Sequence, residues 1–346
     1  MPKTPLPFKP NAVTKRLVGS LPERSRDVVV SRYGLAPGKK SETLDAIGKR
    51  YGITRERVRQ IENHAIKLIQ ESEALIKENE SFSALEEAIH NLGAILSEKA
   101  ILNTLAPDVE TRNHLYFLLV VGRAFQRTKE DDHFAVRWHV DSDVAKVVED
   151  ALKEVHGKVR PSDVLSEDEL VKHVESCLVR ANAKHRNRST ILRWLELSQC
   201  LIKNPLGEWG RESAPGIKVK NIRDYAYLAL KRHGSPMHFR EVAQTIKQLF
   251  GKKAHEATTH NELIKDKRFV LVGRGMYALS EWGYEPGPVI NVITQILNEK
   301  GPLTKNEIME EVRKQRWVKD NTIVVNLQNP KFTKTKDGKY SLQNTK

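Results

Sequence analysis

A glycine-containing turn between two amphipathic segments limits the fold of this chain more than any other feature of its sequence. Leu44, Ile47 and Tyr51 recur at helical spacing, which predicts a first helix with one buried face. Gly52 then supplies the positive φ that ends this helix, and Thr54 is placed to cap the next one. Two helices joined by a short turn that contains glycine form a helix-turn-helix, so the sequence predicts this motif near the N-terminus.

The second helix of the motif has one apolar and one polar side. Its apolar stripe consists of Val58, Ile61, Ala65 and Leu68. Four polar residues project from the other side, close to the start of the helix: Arg55, Glu56, Arg59 and Gln60. A recognition helix inserts that end into the major groove, where Arg pairs with guanine, Gln with adenine and Glu with cytosine. An ordinary solvated helix would explain the charges but not the glycine turn or the cap, so we predict a DNA-reading helix.

The net charge of the chain fits a polyanionic partner. Its 58 Lys and Arg residues outnumber its 44 Asp and Glu residues, which gives a formal charge of +14 at pH 7. Such a surplus often accompanies nucleic acid binding, although an ordinary basic protein explains the charge alone equally well. Between residues 46 and 70 the basic residues also outnumber the acidic ones, as phosphate contacts require.

The motif carries a family resemblance. The run TLDAIGKRYGITRERVRQIENHAIKLI, residues 43–69, resembles region 4 of the sigma-70 family of bacterial RNA polymerase sigma factors, and LPERSRDVVVSRYGL, residues 21–35, resembles the helix pair that precedes it. The resemblance implies that the four polar residues named above read the bases of a −35-like promoter element in double-stranded DNA. It also implies that Thr43 and Arg57 contact the DNA backbone, and that the helix at residues 21–33 contacts the β flap of core RNA polymerase.

Beyond residue 80, a pattern of two or three helical stretches and a short hairpin recurs about every 65 residues. In its clearest copy, helices at 222–233, 239–250 and 254–266 precede a hairpin at 269–279, and three helices with a hairpin make a winged helix. The segments SPMHFREVAQTI and FVLVGRGMYALSEWG of this copy resemble the HARE-HTH domain, which also occurs in the δ subunit of bacterial RNA polymerase.

The predicted fold class is therefore mainly α, with an N-terminal helix-turn-helix followed by tandem winged-helix units of three helices and a β-hairpin. A long charged helix is expected to run from the recognition helix to about Glu80. The predicted domains are 11–72 (helix-turn-helix), 73–141 (helical linker and diverged winged helix), 142–212 (winged helix), 217–283 (HARE-HTH-like) and 286–346 (C-terminal winged helix).

A second basic cluster lies in the unit at 142–212. Its members Arg180, Lys184, Arg186, Arg188 and Arg193 have no acidic residue between them. The cluster is a predicted phosphate-binding surface, and a merely solvated face explains it equally well.

The sequence contains no recognisable motif of a catalytic, cofactor-binding or metal-binding site. It has no phosphate loop, no dinucleotide fingerprint and no His/Cys cluster at metal-ligand spacing, so we predict no enzymatic activity, cofactor, metal or small-molecule ligand. Cys177 and Cys200 cannot build a disulfide framework or a zinc site alone, and we expect them to be buried thiols. The longest apolar stretch, residues 115–122, is far shorter than the ~20 residues of a membrane span. We therefore expect a cytoplasmic, nucleoid-associated protein without membrane contact.

These observations favour a promoter-associated transcription factor that binds duplex DNA and RNA polymerase. Three other functions fit: a sequence-specific regulator without polymerase contact, a winged-helix interaction scaffold anchored to DNA by its N-terminal unit, and a protein that acts on restricted or modified DNA. Only about twenty residues precede the region 4 match. We therefore expect the upstream module of a complete sigma factor to be absent, and we do not expect promoter melting by this chain alone.

Overall fold

A computed structural model of the chain describes residues 6–106, 108–178, 187–284, 287–316 and 318–343. These residues are mainly helical, with short strands between the helices, which confirms the predicted fold class. Contacts divide the chain into two compact units. The first comprises Met1–Lys203 and Glu208–Ala214, and the second comprises Asn204–Gly207 and Pro215–Lys346. None of the described helices has the length and the apolar run that crossing a membrane requires.

The chain begins with the predicted helical bundle: α1 (Pro10–Gly19), α2 (Glu23–Tyr33), α3 (Leu44–Tyr51) and α4 (Arg55–Gln70). Gly34 and Gly52 end α2 and α3 in the left-handed conformation, at φ 64° and 65°. The Thr43 and Thr54 hydroxyls each accept a hydrogen bond of 3.2 Å from the backbone N–H three residues on, which caps α3 and α4. The local signals in the sequence therefore place these helices correctly.

The prediction of one long helix that continues to about Glu80 was wrong. Helix α4 ends at Gln70, and the next helices are α5 (Glu73–Lys77) and α6 (Asn79–Leu92). Ser72 separates α4 from α5, because its hydroxyl accepts a hydrogen bond of 3.3 Å from the N–H of Leu75 and so caps α5. A serine that bonds to the backbone in this way favours a new start over a continued helix.

Helix α6 opens a winged helix, the first winged helix, at residues 79–139. It continues with β1 (Ile95–Ser97), α7 (Glu98–Leu105), α8 (Val109–Val121), β2 (Gln126–Thr128) and β3 (Arg137–His139). One apolar core joins it to the helical bundle: Leu17, Val29, Ile69, Ile89 and Leu118 are all buried in that core. The helical bundle is therefore fixed to the first winged helix by packing. The domain boundary predicted at residue 72 lies within a segment that shares this core.

The second winged helix, residues 142–211, completes the first compact unit, apart from residues 204–207. Its elements are α9 (Ser142–Lys158), β4 (Val164–Leu165), α10 (Glu167–Cys177), α11 (Arg188–Leu195), β5 (Leu201–Lys203) and β6 (Trp209–Arg211). Its core includes the fully buried ring of Trp194, whose Nε1–H donates to the carbonyl oxygen of Gly93 at 3.0 Å. The first and second winged helices are thus held together directly.

The second compact unit contains the third winged helix, residues 222–279, and the fourth, residues 289–342. The elements of the third are α12 (Ile222–His233), β7 (Met237–His238), α13 (Phe239–Phe250), α14 (Glu256–Lys265), β8 (Phe269–Gly273) and β9 (Met276–Leu279). Those of the fourth are α15 (Val289–Lys300), β10 (Leu303–Thr304), α16 (Lys305–Gln315), α17 (Asp320–Asn326), β11 (Phe332–Lys334) and β12 (Lys339–Leu342).

The sheets show that these units share one topology. In the described part of the chain, four antiparallel sheets have three strands each, and in every one the last strand lies between the first and the second. The sequence predicted only the hairpin of each sheet. The first strand is two or three residues long and leads directly into a helix, so no strand was predicted at Met237–His238 or Leu303–Thr304. Both segments pair with a strand that follows about 40 residues later.

Candidate nucleic-acid interface

A small core fixes the orientation of the recognition helix. Val28 of α2, Ile47 of α3 and Val58 of α4 are fully buried against one another. The turn between α3 and α4 is tight, because the N–H of Ile53 donates to the carbonyl oxygen of Gly48 at 3.0 Å. A Cβ at Gly48 would lie 2.6 Å from the carbonyl oxygen of Ile53. Glycine is therefore required here by a close backbone approach, which sets the angle between the two helices.

The predicted base-reading residues lie together on the surface. Arg55, Glu56, Arg59 and Gln60 are all exposed, and all of them belong to the first two turns of α4. Arg57 is exposed as well. Together with Gly52 and Thr54 it lines a shallow cleft at the turn of the motif, beside the N-terminus of α4. The partial positive charge of a helix N-terminus favours phosphate binding at such a place.

Two contacts within α4 organise these side chains before any DNA binds. The guanidinium of Arg59 donates two hydrogen bonds to the carboxylate of Glu56, at 2.9 and 2.7 Å. This ion pair lowers the pKa of Glu56 and raises the pKa of Arg59. The guanidinium of Arg57 donates to the amide oxygen of Gln60 at 3.0 Å. A bidentate contact of Arg59 with guanine therefore requires the ion pair with Glu56 to open or to share its donors.

Thr43 caps α3, the helix that precedes the recognition helix, and Arg50 lies near the end of α3. The Thr43 hydroxyl accepts the capping hydrogen bond from Ala46, so its own O–H can donate to a phosphate. Arg50 donates to both carboxylate oxygens of Glu42 at 2.9 and 3.0 Å and to the Ser31 hydroxyl at 2.7 Å. Arg50 thus ties α3 to the end of α2, and this tie supports the motif in a way the sequence did not indicate.

The second predicted basic cluster is only partly visible. Arg180, Lys184 and Arg186 lie outside the described residues. Arg188 starts α11, and its guanidinium forms ion pairs with Glu167, at 2.9 Å, and with Asp168. Along the sequence Arg188 has no acidic neighbour, but the fold places two carboxylates from α10 against it. For this residue, phosphate binding would therefore compete with an existing ion pair.

The helix predicted to contact polymerase buries its apolar stripe within the chain. Val28, Val29 and Tyr33 of α2 are buried, and the Tyr33 ring meets the ring of Phe117 on α8 edge to face at 5.2 Å between centroids. The side-chain amide of Asn113, also on α8, donates to the carbonyl oxygen of Gly34 at 3.1 Å. The surface that α2 still offers is polar, and Glu23, Arg24 and Asp27 are exposed on it.

Comparison with known families confirms both resemblances. Residues 17–71 match the family described as "Sigma-70, region 4". Residues 221–282 match the HARE-HTH family, a helix-turn-helix domain described for ASXL and restriction endonuclease proteins. The first match contains the helix-turn-helix with the polar residues of α4 named above, and the second contains the whole third winged helix.

Individual relatives match the N-terminal segment. The RNA polymerase principal sigma factor HrdD of Streptomyces griseus is 46% identical over 50 residues, which are 14% of this chain and 15% of the relative. The sigma factor RpoS of Coxiella burnetii is 46% identical over 56 residues, 16% of each chain. RpoD of Helicobacter pylori is 42% identical over 59 residues, 17% of this chain and 9% of the relative. The chain thus spans no more than about a sixth of the curated relatives that it matches.

Proposed function

We propose that the chain is a DNA-binding factor of bacterial transcription initiation, which recognises a −35-like promoter element through α4 and contacts core RNA polymerase. The observation that carries the proposal is the exposed, capped start of α4 on a helix-turn-helix of the sigma region 4 type. The role is binding and recruitment, without a chemical step. It would be carried out in the cytoplasm, on the nucleoid.

Direct readout of DNA by α4 rests on the placement of its polar residues. Among the described residues, the guanidinium of Arg55 forms no hydrogen bond and interacts with the Glu56 carboxylate through charge alone, whereas Arg59 is hydrogen-bonded to Glu56. Arg55 therefore reaches a guanine without breaking a hydrogen bond, and Arg59 reaches one by exchanging its carboxylate for the base. Thr43 at the start of α3 and Arg57 on α4 would supply phosphate contacts, which fix the register of a helix in the groove.

Contact with polymerase would use the polar face of α2. Because α3, α4 and α8 cover the apolar stripe of this helix, the remaining surface for a partner contains Glu23, Arg24 and Asp27. Such a contact would be salt-sensitive, since exposed charges are screened within about 10 Å at 0.1 M salt. The winged helices would add further contacts with DNA or protein, and fold alone does not decide between the two.

The burial of the α2 stripe also favours a second candidate function. If polymerase binding required that stripe to be exposed, the packing of Tyr33 against Phe117 would prevent the binding. The chain would then be a sequence-specific regulator that binds DNA without polymerase.

Co-purification of the tagged full chain with core polymerase, after nuclease treatment, separates the two functions. We expect the wild type to retain polymerase subunits, and a Glu23→Lys, Arg24→Glu variant to lose them. Glu87→Lys, an exposed charge reversal on α6, serves as the matched control. Absence of polymerase from the wild-type preparation would contradict the proposed polymerase contact and leave the regulator.

A further inference from the structure

Three potential metal ligands that are far apart in the sequence meet in the first compact unit. They are His133 in the loop between β2 and β3, His156 near the end of α9, and Cys200 just before β5. Each offers one ligand atom, and these atoms all lie within 4.8 Å of one another. The Sγ atom of Cys200 is 3.5 Å from Nδ1 of His133. The rings of His133 and His156 are 6.1 Å apart between centroids.

The backbone around this cluster is fixed by hydrogen bonds. The N–H of Gln199 donates to the carbonyl oxygen of His133 at 2.8 Å, and the N–H of Ala135 donates to that of Leu197 at 2.9 Å. These bonds lie on either side of an isolated antiparallel bridge between Phe134 and Ser198. His133 and Cys200 are therefore neighbours because their backbones are paired, and their approach does not depend on the side-chain conformation alone.

The third ligand is held by a different contact. The carbonyl oxygen of His156 accepts a hydrogen bond of 2.5 Å from the guanidinium of Arg211, which ties the end of α9 to β6. The three ligands thus come from both the first and the second winged helix, and each of them is attached to a hydrogen-bonded element.

We propose that His133, His156 and Cys200 bind a zinc ion. Zinc prefers thiolate and imidazole ligands, at about 2.3 Å to sulfur and about 2.0–2.1 Å to nitrogen in a tetrahedral arrangement. Those lengths place a sulfur and a nitrogen ligand about 3.6 Å apart, and the observed distance between Cys200 and His133 is 3.5 Å. Calcium and magnesium prefer oxygen ligands, so a thiolate with two imidazoles selects against both.

Three protein ligands leave one coordination position for solvent. His133 is exposed, while His156 and Cys200 are half-buried, so the site is open to metal exchange. A bound ion would clip the β2–β3 loop of the first winged helix to the second, and so would stabilise their packing. This role is independent of the proposed DNA and polymerase contacts, since no residue of α1–α4 takes part.

Cobalt substitution in the reduced, metal-stripped full chain tests the site, because a cobalt–thiolate bond gives a charge-transfer absorption band. We expect one cobalt ion per chain, displaced by one equivalent of zinc, and a rise in the thermal midpoint with zinc. Cys200→Ser should abolish the band and weaken zinc binding by more than about 100-fold, since even residues outside the ligand shell contribute about 10- to 100-fold.

Two further variants complete the test. Cys177→Ser, at the other partly exposed cysteine, should bind both metals as the wild type does. His133→Ala changes an exposed side chain and should weaken zinc binding without unfolding the unit. The proposal is overturned if the wild type gives no band, because the 3.5 Å contact between Cys200 and His133 is then a thiol–imidazole contact only. It is equally overturned if Cys200→Ser keeps the band or if Cys177→Ser loses it.

Discussion

Replacing Gly48 by alanine tests whether the close approach of α3 and α4 sets the geometry of the recognition helix. The added Cβ would lie 2.6 Å from the carbonyl oxygen of Ile53, a backbone atom that cannot rotate away. Overpacking of this kind costs about 1–3 kcal/mol. The higher helix propensity of alanine stabilises the helix by about 0.8–1 kcal/mol and so offsets part of this cost. The net expectation is a destabilisation of about 1 kcal/mol, and at most about 2 kcal/mol, confined to the helix-turn-helix.

Gly19→Ala is the matched control. Gly19 is also helical, but a Cβ there would have no atom within 4 Å. The same substitution should therefore be neutral or stabilising by up to about 1 kcal/mol. The two variants share one chemical change, and they are predicted to move the local stability in opposite directions.

Hydrogen exchange followed by mass spectrometry measures this effect locally, which a single unfolding curve of a chain with several cores does not. Amides of α3 and α4 should exchange about 5-fold faster, and at most about 30-fold faster, in the Gly48→Ala variant, as a loss of about 1 and at most about 2 kcal/mol requires. Affinity for DNA should fall with it. Exchange that is unchanged in α3 and α4, or slower as in the control, would refute the argument that this glycine fixes the turn.

Three further predictions concern single side chains. Thr54→Ala should destabilise α4 by about 1 kcal/mol through loss of its cap, measured by hydrogen exchange, whereas Thr54→Ser should restore it. The ion pair with Arg16 lowers the pKa of Glu78 below its ordinary value of 4.5. Its stabilisation should therefore be present above about pH 4.5 and disappear as the pH falls through the lowered pKa. A thermal midpoint that falls as steeply with acid in Glu78→Gln as in the wild type would contradict this. Arg57→Ala should reduce the salt dependence of DNA binding by about one unit in slope without changing the preferred sequence, whereas Arg59→Ala should cost about 1–3 kcal/mol and relax that preference. Binding isotherms at several salt concentrations would count against these roles if both variants behaved alike.

The helix-turn-helix could be predicted because its signals are local. Gly52 ends one helix and Thr54 caps the next within three residues, and the apolar stripe of α4 repeats within one helix. The break at Ser72 is also local, but the prediction missed it because the charged residues around it favour a helix equally well. The exposure of the polar residues of α4 agrees with the prediction, and their contact with DNA stays a prediction.

Features that depend on distant parts of the chain were not predicted. Met237 pairs with Tyr277 forty residues later, and no local periodicity indicates such a short strand. Phe117 reaches Tyr33 from the first winged helix, so nothing near α2 in the sequence indicates that the apolar stripe of α2 is buried within the chain. Cys200 was expected to be buried and without a metal site, but it is partly exposed. It meets two histidines only because the fold pairs separate loops.

Selection of duplexes from a random pool by the full chain tests the central claim most directly, namely that α4 reads DNA as a sigma region 4 does. The selected duplexes, sequenced after several rounds, should share one motif for the wild type. That motif should be lost in an Arg55→Ala, Arg59→Ala variant and kept in Lys67→Ala, an exposed change at the far end of the same helix. Enrichment of no motif by the wild type, or of the same motif by the double variant, would contradict the account.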